Sequence, residues 1–294
     1  IDESSMVDLH LMWRIMNGIS DYCRVILVGD IAQLPPVGAG FILSELIKSG
    51  VPRTHLTEVF RQGEGSGVTK AAHEVHAGVA PESNTEFEVI HLDSEDEVLS
   101  TLVEKCKDLQ MDEVDFHVMS PTHHGTLGVT NLNRELRSAL NPDIGGMSIK
   151  IGKNTLREGD RVMITKNDYD LEVFKGDVGK IASINKYYVE VSIKGVQDSI
   201  VSIPRDRISK LLRLAYATTV HKSQGLEYDV IFMPLSPRHS PNLLKRSLLY
   251  TAITRAKEKV YLIGDSSALE IFVYNNKQHE GYCGLSDRIR PELF

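Results

Sequence analysis

Residues 216–229, YATTVHKSQGLEYD, constrain this chain more than any other stretch. They join Thr218 and Thr219 to His221, Lys222, Ser223, Gln224 and Gly225, and set Glu227 and Asp229 just ahead of an apolar run at 230–233. So many polar groups exclude an ordinary core helix. A short polar helix capped by glycine and feeding directly into a strand is the geometry that brings backbone N–H groups and side chains to a phosphate. Further on, SLLYTAITRAKEKVYLIGD supplies Arg255 at a helix end and a second buried strand at 260–263. An arginine so placed can face a phosphoryl group.

With 294 residues the chain can form two domains, or one large domain carrying an insertion. A net charge of −7 argues against nucleic-acid binding by bulk positive charge, so any such contact must be a local groove on an acidic body. No apolar run reaches the length of a membrane span, and the opening IDESSMVD has neither the basic nor the apolar region of an export signal. A cytoplasmic location without membrane partners is the expectation. Cys23, Cys106 and Cys283 are widely spaced with no Cys-x-x-Cys pair, which points to reduced thiols rather than a zinc site or disulfides.

Read in order, the chain opens on Asp2-Glu3. Paired acids at a strand end can hold a metal or its water and orient an attacking water; alone they heavily favour a helix N-terminus whose dipole they complement. Residues 9–19 read as a helix with a core stripe of Leu9, Met12, Trp13 and Met16. Residues 24–28 read as a short buried strand ending in Gly29-Asp30, and the Pro35-Pro36 loop makes a rigid turn that holds Asp30 and Gln33 at a sheet's carboxyl edge. Helices are predicted at 41–49 and 68–76. His73 and His76 share a face of the second helix without a third ligand and are taken as surface residues. Loop composition at 77–85 sets a domain boundary near 84.

A strand at 87–92, a helix at 95–109 and a strand at 116–119 follow, the last running into Ser120-Pro121-Thr122. Small hydroxyls at a strand end suit phosphodiester oxygens, or simply cap the loop before a helix at 129–140. Short alternating runs within 151–207 suggest a small antiparallel barrel, either a contact surface or a spacer. A turn, a helix at 268–274 and a closing helix at 285–293 complete the prediction.

Together these runs resemble the motifs of superfamily 1 helicases, in wording closest to the RecD-like branch. Asp2-Glu3 is similar to motif II, the 29–38 turn to motif III, Phe60-Arg61-Gln62 to motif IV, the 216–229 stretch to motif V and Thr254-Arg255-Ala256 to motif VI. The resemblance implies an α/β chain with RecA-like parallel sheets of the P-loop NTPase type. A first domain at 1–84 would be incomplete, a second would comprise 85–150 and 208–294, and a small Src-homology-3-like barrel at 151–207 would be inserted in it. It implies an ATP-dependent motor on single-stranded DNA, with 5′-to-3′ polarity, serving recombination and repair with possible nuclease or repair-complex partners.

In that reading Asp2 binds Mg²⁺ and Glu3 orients water. Gln33, Arg61 and Arg255 meet the γ-phosphate, while Asp30, Gly225 and Glu227 line the ATP site, Glu227 at the ribose. Ser120, Thr122, Thr218, Thr219 and His221 contact the DNA strand. Val37 and Gly38 stand where other branches carry a base-stacking aromatic, so no stacking role carries over. No Gly-x-x-x-x-Gly-Lys-Ser/Thr run occurs in the chain, whereas the family has that loop ahead of motif II. The expectation is therefore a piece of a longer protein with little ATPase activity by itself. The competing class is a helicase-derived scaffold that grips single-stranded DNA or a repair partner without using ATP.

Overall fold

The computed structural model describes residues 1–56, 65–151, 154–193, 200–276 and 284–289. In chain order the elements are α1 (Leu9–Gly18), α2 (Ile42–Lys48), α3 (Gly67–Ala77), β1 (Phe87–His91), α4 (Glu95–Met111), β2 (Phe116–Ser120), α5 (Val129–Leu140), β3 (Ser148–Ile151), β4 (Asn154–Arg157), β5 (Arg161–Ile164), β6 (Val178–Ile184), β7 (Tyr188–Ile193) and β8 (Ile200–Pro204). Then come α6 (Arg205–Leu211), β9 (Leu212–Leu214), β10 (Ala217–Thr219), β11 (Tyr228–Leu235), α7 (Arg246–Ile253), β12 (Ala256–Gly264), α8 (Ser266–Tyr274) and α9 (Leu285–Arg288).

The centre is a five-stranded sheet in the order β1-β12-β11-β2-β10, with every pairing parallel. Parallel strands are covered on both faces, so their residues are apolar in continuous runs: Val230 to Met233 on β11 and Val260 to Ile263 on β12. One face is packed by α3, α7 and α8 through residues such as Val75, Leu249 and Phe272. The other is packed by α4 and α5 through Leu102, Cys106, Leu132 and Leu136. Parallel strands also put all their carboxyl ends on one edge, at His91, Ser120, Thr219, Leu235 and Gly264. Ligands of open α/β sheets bind along such an edge.

Between α5 and β10 the chain forms a second, antiparallel sheet in the order β8-β7-β6-β5-β9, with the β3-β4 hairpin beside it. Its alternating residues, Val189, Val191 and Ile193 on β7 among them, close a small core of their own. This is the expected insertion, and its sheet runs on to Leu214, past the predicted end at 207. One buried carboxylate ties it to the parallel sheet. Asp160 is fully buried and accepts from Arg137 Nε at 3.0 Å, Asn141 Nδ2 at 2.8 Å, Tyr216 Oη at 3.0 Å and the Arg157 amide at 2.8 Å.

Two expectations for the leading segment are corrected. Residues 24–28 form no regular strand and are not buried. They lie beside residues 1–4 through three backbone hydrogen bonds of 2.8 Å, with Ile26 73% exposed. The helix α1 forms, capped by Asp8, which accepts from the Leu11 amide at 2.8 Å. Its stripe is not core, however. Trp13 is 62% exposed, because no other element among the described residues covers that face. The helix α3, placed ahead of the boundary near 84, buries Val68, Ala71, Ala72 and Val75 on the parallel sheet.

Replacing Asp160 by alanine leaves the Arg137 guanidinium buried without its carboxylate. A loss of about 3–5 kcal/mol is expected, read as a lowered urea midpoint, with Asp160→Asn milder because it keeps an acceptor.

Candidate nucleotide and strand site

Three of the residues expected at a triphosphate meet in space. The extended start of the chain carries Asp2 and Glu3 into a short 3-10 turn, Ser4–Met6, and Glu3 takes the left-handed conformation at φ 49°. A residue without glycine's freedom pays of the order of 1–3 kcal/mol there, a strain that surrounding structure must hold in place. The side chain so placed reaches Arg255: Nη1 donates to Glu3 Oε1 at 3.4 Å, while Nη2 donates to Gln33 Oε1 at 3.0 Å. Arg255 is only 3% exposed, and its Nε, also buried, has no hydrogen-bond partner among the described residues. A buried donor left unpaired costs about 1–3 kcal/mol, and an incoming phosphate oxygen would satisfy it.

Asp30 shapes the turn that presents Gln33. Its Oδ1 accepts from the Ala32 amide at 2.8 Å, and its Oδ2 accepts the Tyr250 hydroxyl at 2.9 Å. Burial, then the Asp30 charge, push the Tyr250 phenol well above its ordinary range, so it remains a donor. Asp2 keeps an exposed carboxylate, with Oδ1 accepting from the Glu3 amide at 2.8 Å. Among the described residues no three metal-ligating side chains cluster. That donor set fits a magnesium ion, which takes one or two carboxylates and completes its shell with phosphate oxygens and water. Gly225 sits at φ 77°, where the 3-10 turn Val220–Ser223 gives way to β11; that left-handed backbone favours glycine. Glu227 is half-buried two residues later. Arg61 lies outside the described residues.

The five residues expected on a DNA strand divide. Ser120 is fully buried, and its hydroxyl donates to the Leu127 carbonyl at 2.7 Å. Thr218 is 3% exposed and bonds His117 Nε2 at 2.8 Å. Both hydroxyls are engaged inside the fold. Thr219, at the carboxyl end of β10, is buried, while Thr122 and His221 are half-buried on the neighbouring loops. Cationic groups surround them. His221 is held below its ordinary range by burial and then by Lys245, and His123 by burial and then by Lys222 and His124.

Sequence reasoning missed a cleft of about 1430 Å³ between the leading segment and α7–α8, whose lining includes Pro35, Pro36, Lys48, His76, Lys245 and Tyr250. Its walls combine flat rings and cations, as a surface for a nucleotide chain does. The Pro-Pro turn and the Lys245-Arg246 pair were legible signals, but nothing in a linear reading brings residues 35 and 245 together.

A parallel sheet of this order, with an arginine, a glutamine and a carboxylate converging beside its carboxyl edge, has the RecA-like fold. Residues 1–94 match an AAA domain, 132–194 the SH3 domain of ATP-dependent RecD-like DNA helicases, and 214–263 the UvrD-like helicase C-terminal domain. The ATP-dependent RecD2 DNA helicase of Deinococcus radiodurans is 32% identical over 293 residues, covering 99% of this chain and 39% of that protein. The RecD subunit of the RecBCD enzyme of Mycolicibacterium smegmatis is 27% identical over 310 residues, covering 99% and 54%. A structure of two coordinating Pif1 helicases at forked duplex DNA shares the fold, with a TM-score of 0.54 at 22% identity over 89% of this chain and 68% of that one. The chain is homologous to the RecD-like superfamily 1 helicases, and spans about four-tenths to half the length of the curated relatives it matches.

His117 supplies a pH test of the interior behind this edge. It is 2% exposed, stacks on Tyr228 at 4.4 Å and bonds Thr218; burial, then the Arg161 charge, push its pKa down to about 3. The folded state thus excludes a proton that the unfolded chain takes up below the ordinary 6.5. Stability is undiminished above 6.5 and is lost progressively as pH falls towards 3. Urea midpoints measured from pH 7 to pH 4 should show this slope, and His117→Gln should flatten it.

Proposed function

We propose that this chain is part of the motor of an ATP-dependent DNA helicase that translocates on single-stranded DNA, 5′ to 3′, in cytoplasmic recombination and repair. The observation that carries the reading is the convergence of Glu3, Gln33 and Arg255, which are 222 and 252 residues apart in the pairs that Arg255 makes. A structural ion pair would not need a left-handed glutamate at one end and an unpaired Nε at the other. A scaffold without ATP chemistry would need none of the three.

In this reading the γ-phosphate enters between the partners that now touch. Arg255 exchanges Glu3 for phosphate oxygens and stabilises charge that builds in transfer, an effect of roughly 10³–10⁵ in rate for arginine fingers. Glu3, released, accepts a proton from the attacking water and orients it. Gln33 keeps contact with the transferring group, and Arg61 is the second proposed arginine. Asp2 would hold Mg²⁺, which supplies charge neutralisation across the phosphates. Asp30 acts through Gln33 and Tyr250, while Gly225 and Glu227 lie on the side proposed for the ribose.

The strand is proposed to cross the cleft between Pro35-Pro36 and Lys245, with Thr122, Thr219 and His221 contributing from the sheet edge. The division proposed is a leading lobe at 1–84, a second lobe at 85–150 and 208–294 around the parallel sheet, and an inserted small barrel at 151–207. Nuclease or repair subunits are proposed partners, supported by the mycobacterial relative's being a subunit of the RecBCD enzyme. Because the chain contains no phosphate-loop lysine motif, the 294 residues alone are expected to hydrolyse ATP slowly or not at all.

The test uses the full encoded protein and a steady-state ATPase assay with and without single-stranded DNA. DNA-stimulated hydrolysis is expected, falling by about 10³-fold or more in Arg255→Ala, with far-ultraviolet circular dichroism unchanged. Hydrolysis that survives Arg255→Ala would remove the reading. Full activity from the 294 residues alone would remove the phosphate-loop argument.

A further inference from the structure

Leu34 is the residue of the leading segment most firmly held by the other lobe. It follows Gln33 directly, yet its side chain is 4% exposed within the core cluster formed by α3, α7 and the parallel sheet. Its backbone is held on both sides. The Leu34 amide donates to Thr251 Oγ1 at 2.8 Å, and its carbonyl accepts from Gln224 Nε2 at 3.4 Å. Thr251 is fully buried on α7 and sends its own hydroxyl hydrogen to the Ser247 carbonyl at 2.7 Å. One oxygen therefore donates within its helix and accepts from a loop 217 residues away. Four residues beyond Thr251 in the chain is Arg255, whose Nη2 meets Gln33.

We propose that Leu34 and Thr251 are positioning residues that fix Gln33 against Arg255, so that these two groups travel with α7 as one unit while Glu3 is the partner that separates. The inference rests on the nucleotide reading of the site. Its physical basis is a difference in attachment. Gln33 is one peptide from a doubly held, buried residue. Glu3 is half-buried, on a segment joined to residues 26–28, and meets Arg255 at the longer 3.4 Å. A displacement of the lobes leaves the first contact in register and opens the second. Among the described residues the side-chain hydrogen bond of Thr251 to the leading segment ends on the Leu34 amide, next to Gln33, so its loss is expected to act on transfer geometry and not on nucleotide binding.

The experiment uses the full encoded protein in a DNA-stimulated ATPase assay, with kcat and KM for ATP separated. Thr251→Val keeps shape and removes the acceptor. It should lower kcat by up to about 10²-fold, the scale of a misplacement of about 1 Å, with KM within about two-fold of wild type. Thr251→Ser should restore kcat. In a Gln33→Ala background Thr251→Val should cost about two-fold or less, because its effect runs through Gln33. Gln224→Met, which removes the second hold on Leu34, should reproduce the kcat loss and serves where Thr251→Val fails to fold. Additive losses in the Gln33→Ala background, or Thr251→Val with wild-type kcat, would overturn the positioning role and leave the nucleotide site standing. A wild-type protein without ATPase activity would overturn both.

Discussion

Taking a guanidinium out of water is costly unless its hydrogen bonds are replaced, and at Arg255 they are replaced only in part. Two of its nitrogens find Gln33 and Glu3, at 3.0 and 3.4 Å, and Nε finds no partner among the described residues. A group in that condition stays buried only if its surroundings are fixed by other contacts. Those contacts are present: the Leu34 side chain in the core between the parallel sheet and α3, α7 and α8, the Thr251 hydroxyl on its amide, and the Tyr250 hydroxyl on Asp30. The rest of the structure follows from holding this incompletely satisfied cation where a phosphate can finish its coordination. Glu3, strained at φ 49°, is part of the same arrangement, since relaxing its backbone would withdraw the carboxylate.

The inserted sheet is fastened by an interaction of the opposite kind. Asp160 is buried and supplied with donors from α5, from the loop after it, from the insertion itself and from Tyr216, just before β10. Arg161 adds a bond to the Phe116 carbonyl at 3.0 Å and lies over the Phe116 ring at 4.1 Å. The insertion thus bears on the starts of β2 and β10, whose far ends carry the proposed strand contacts. Its position can reach Thr219 and Thr122 through two short, fully buried strands.

Parallel strands and their covering helices were readable because their patterns are local. β11 and β12 are apolar runs bounded by polar turns, and α5 falls at 129–140 as predicted, with apolar residues at helical spacing. The convergence of Glu3, Gln33 and Arg255 was readable only through the order of motifs, since no periodicity relates positions 2 to 255. What a linear reading leaves out is direction. Adjacent residues of a strand point to opposite faces, so Thr218 and Thr219 cannot both face one groove; Thr218 turns to His117. Ser120 is a related case, because a hydroxyl at a strand end serves a loop as readily as a ligand. The stripe on α1 had the period of a core helix, but period reports a face and not what lies against it.

Charge distribution completes the physical account. A body of net charge −7 repels a polyanion at long range, and steering is weak beyond roughly 10 Å at moderate salt. The cations proposed to attract a strand are Lys48 and Lys245 on the cleft walls and Lys222 at the sheet edge. Burial and those lysines hold His123 and His221 below their ordinary range, so near neutrality these imidazoles offer polar contacts instead of charge. A phosphate placed beside either one favours its protonated form, so each contact draws a proton as it forms. A grip made of few fixed charges and several titrating ones is weak enough to release, which a motor that steps along a strand requires of the same contacts that hold it.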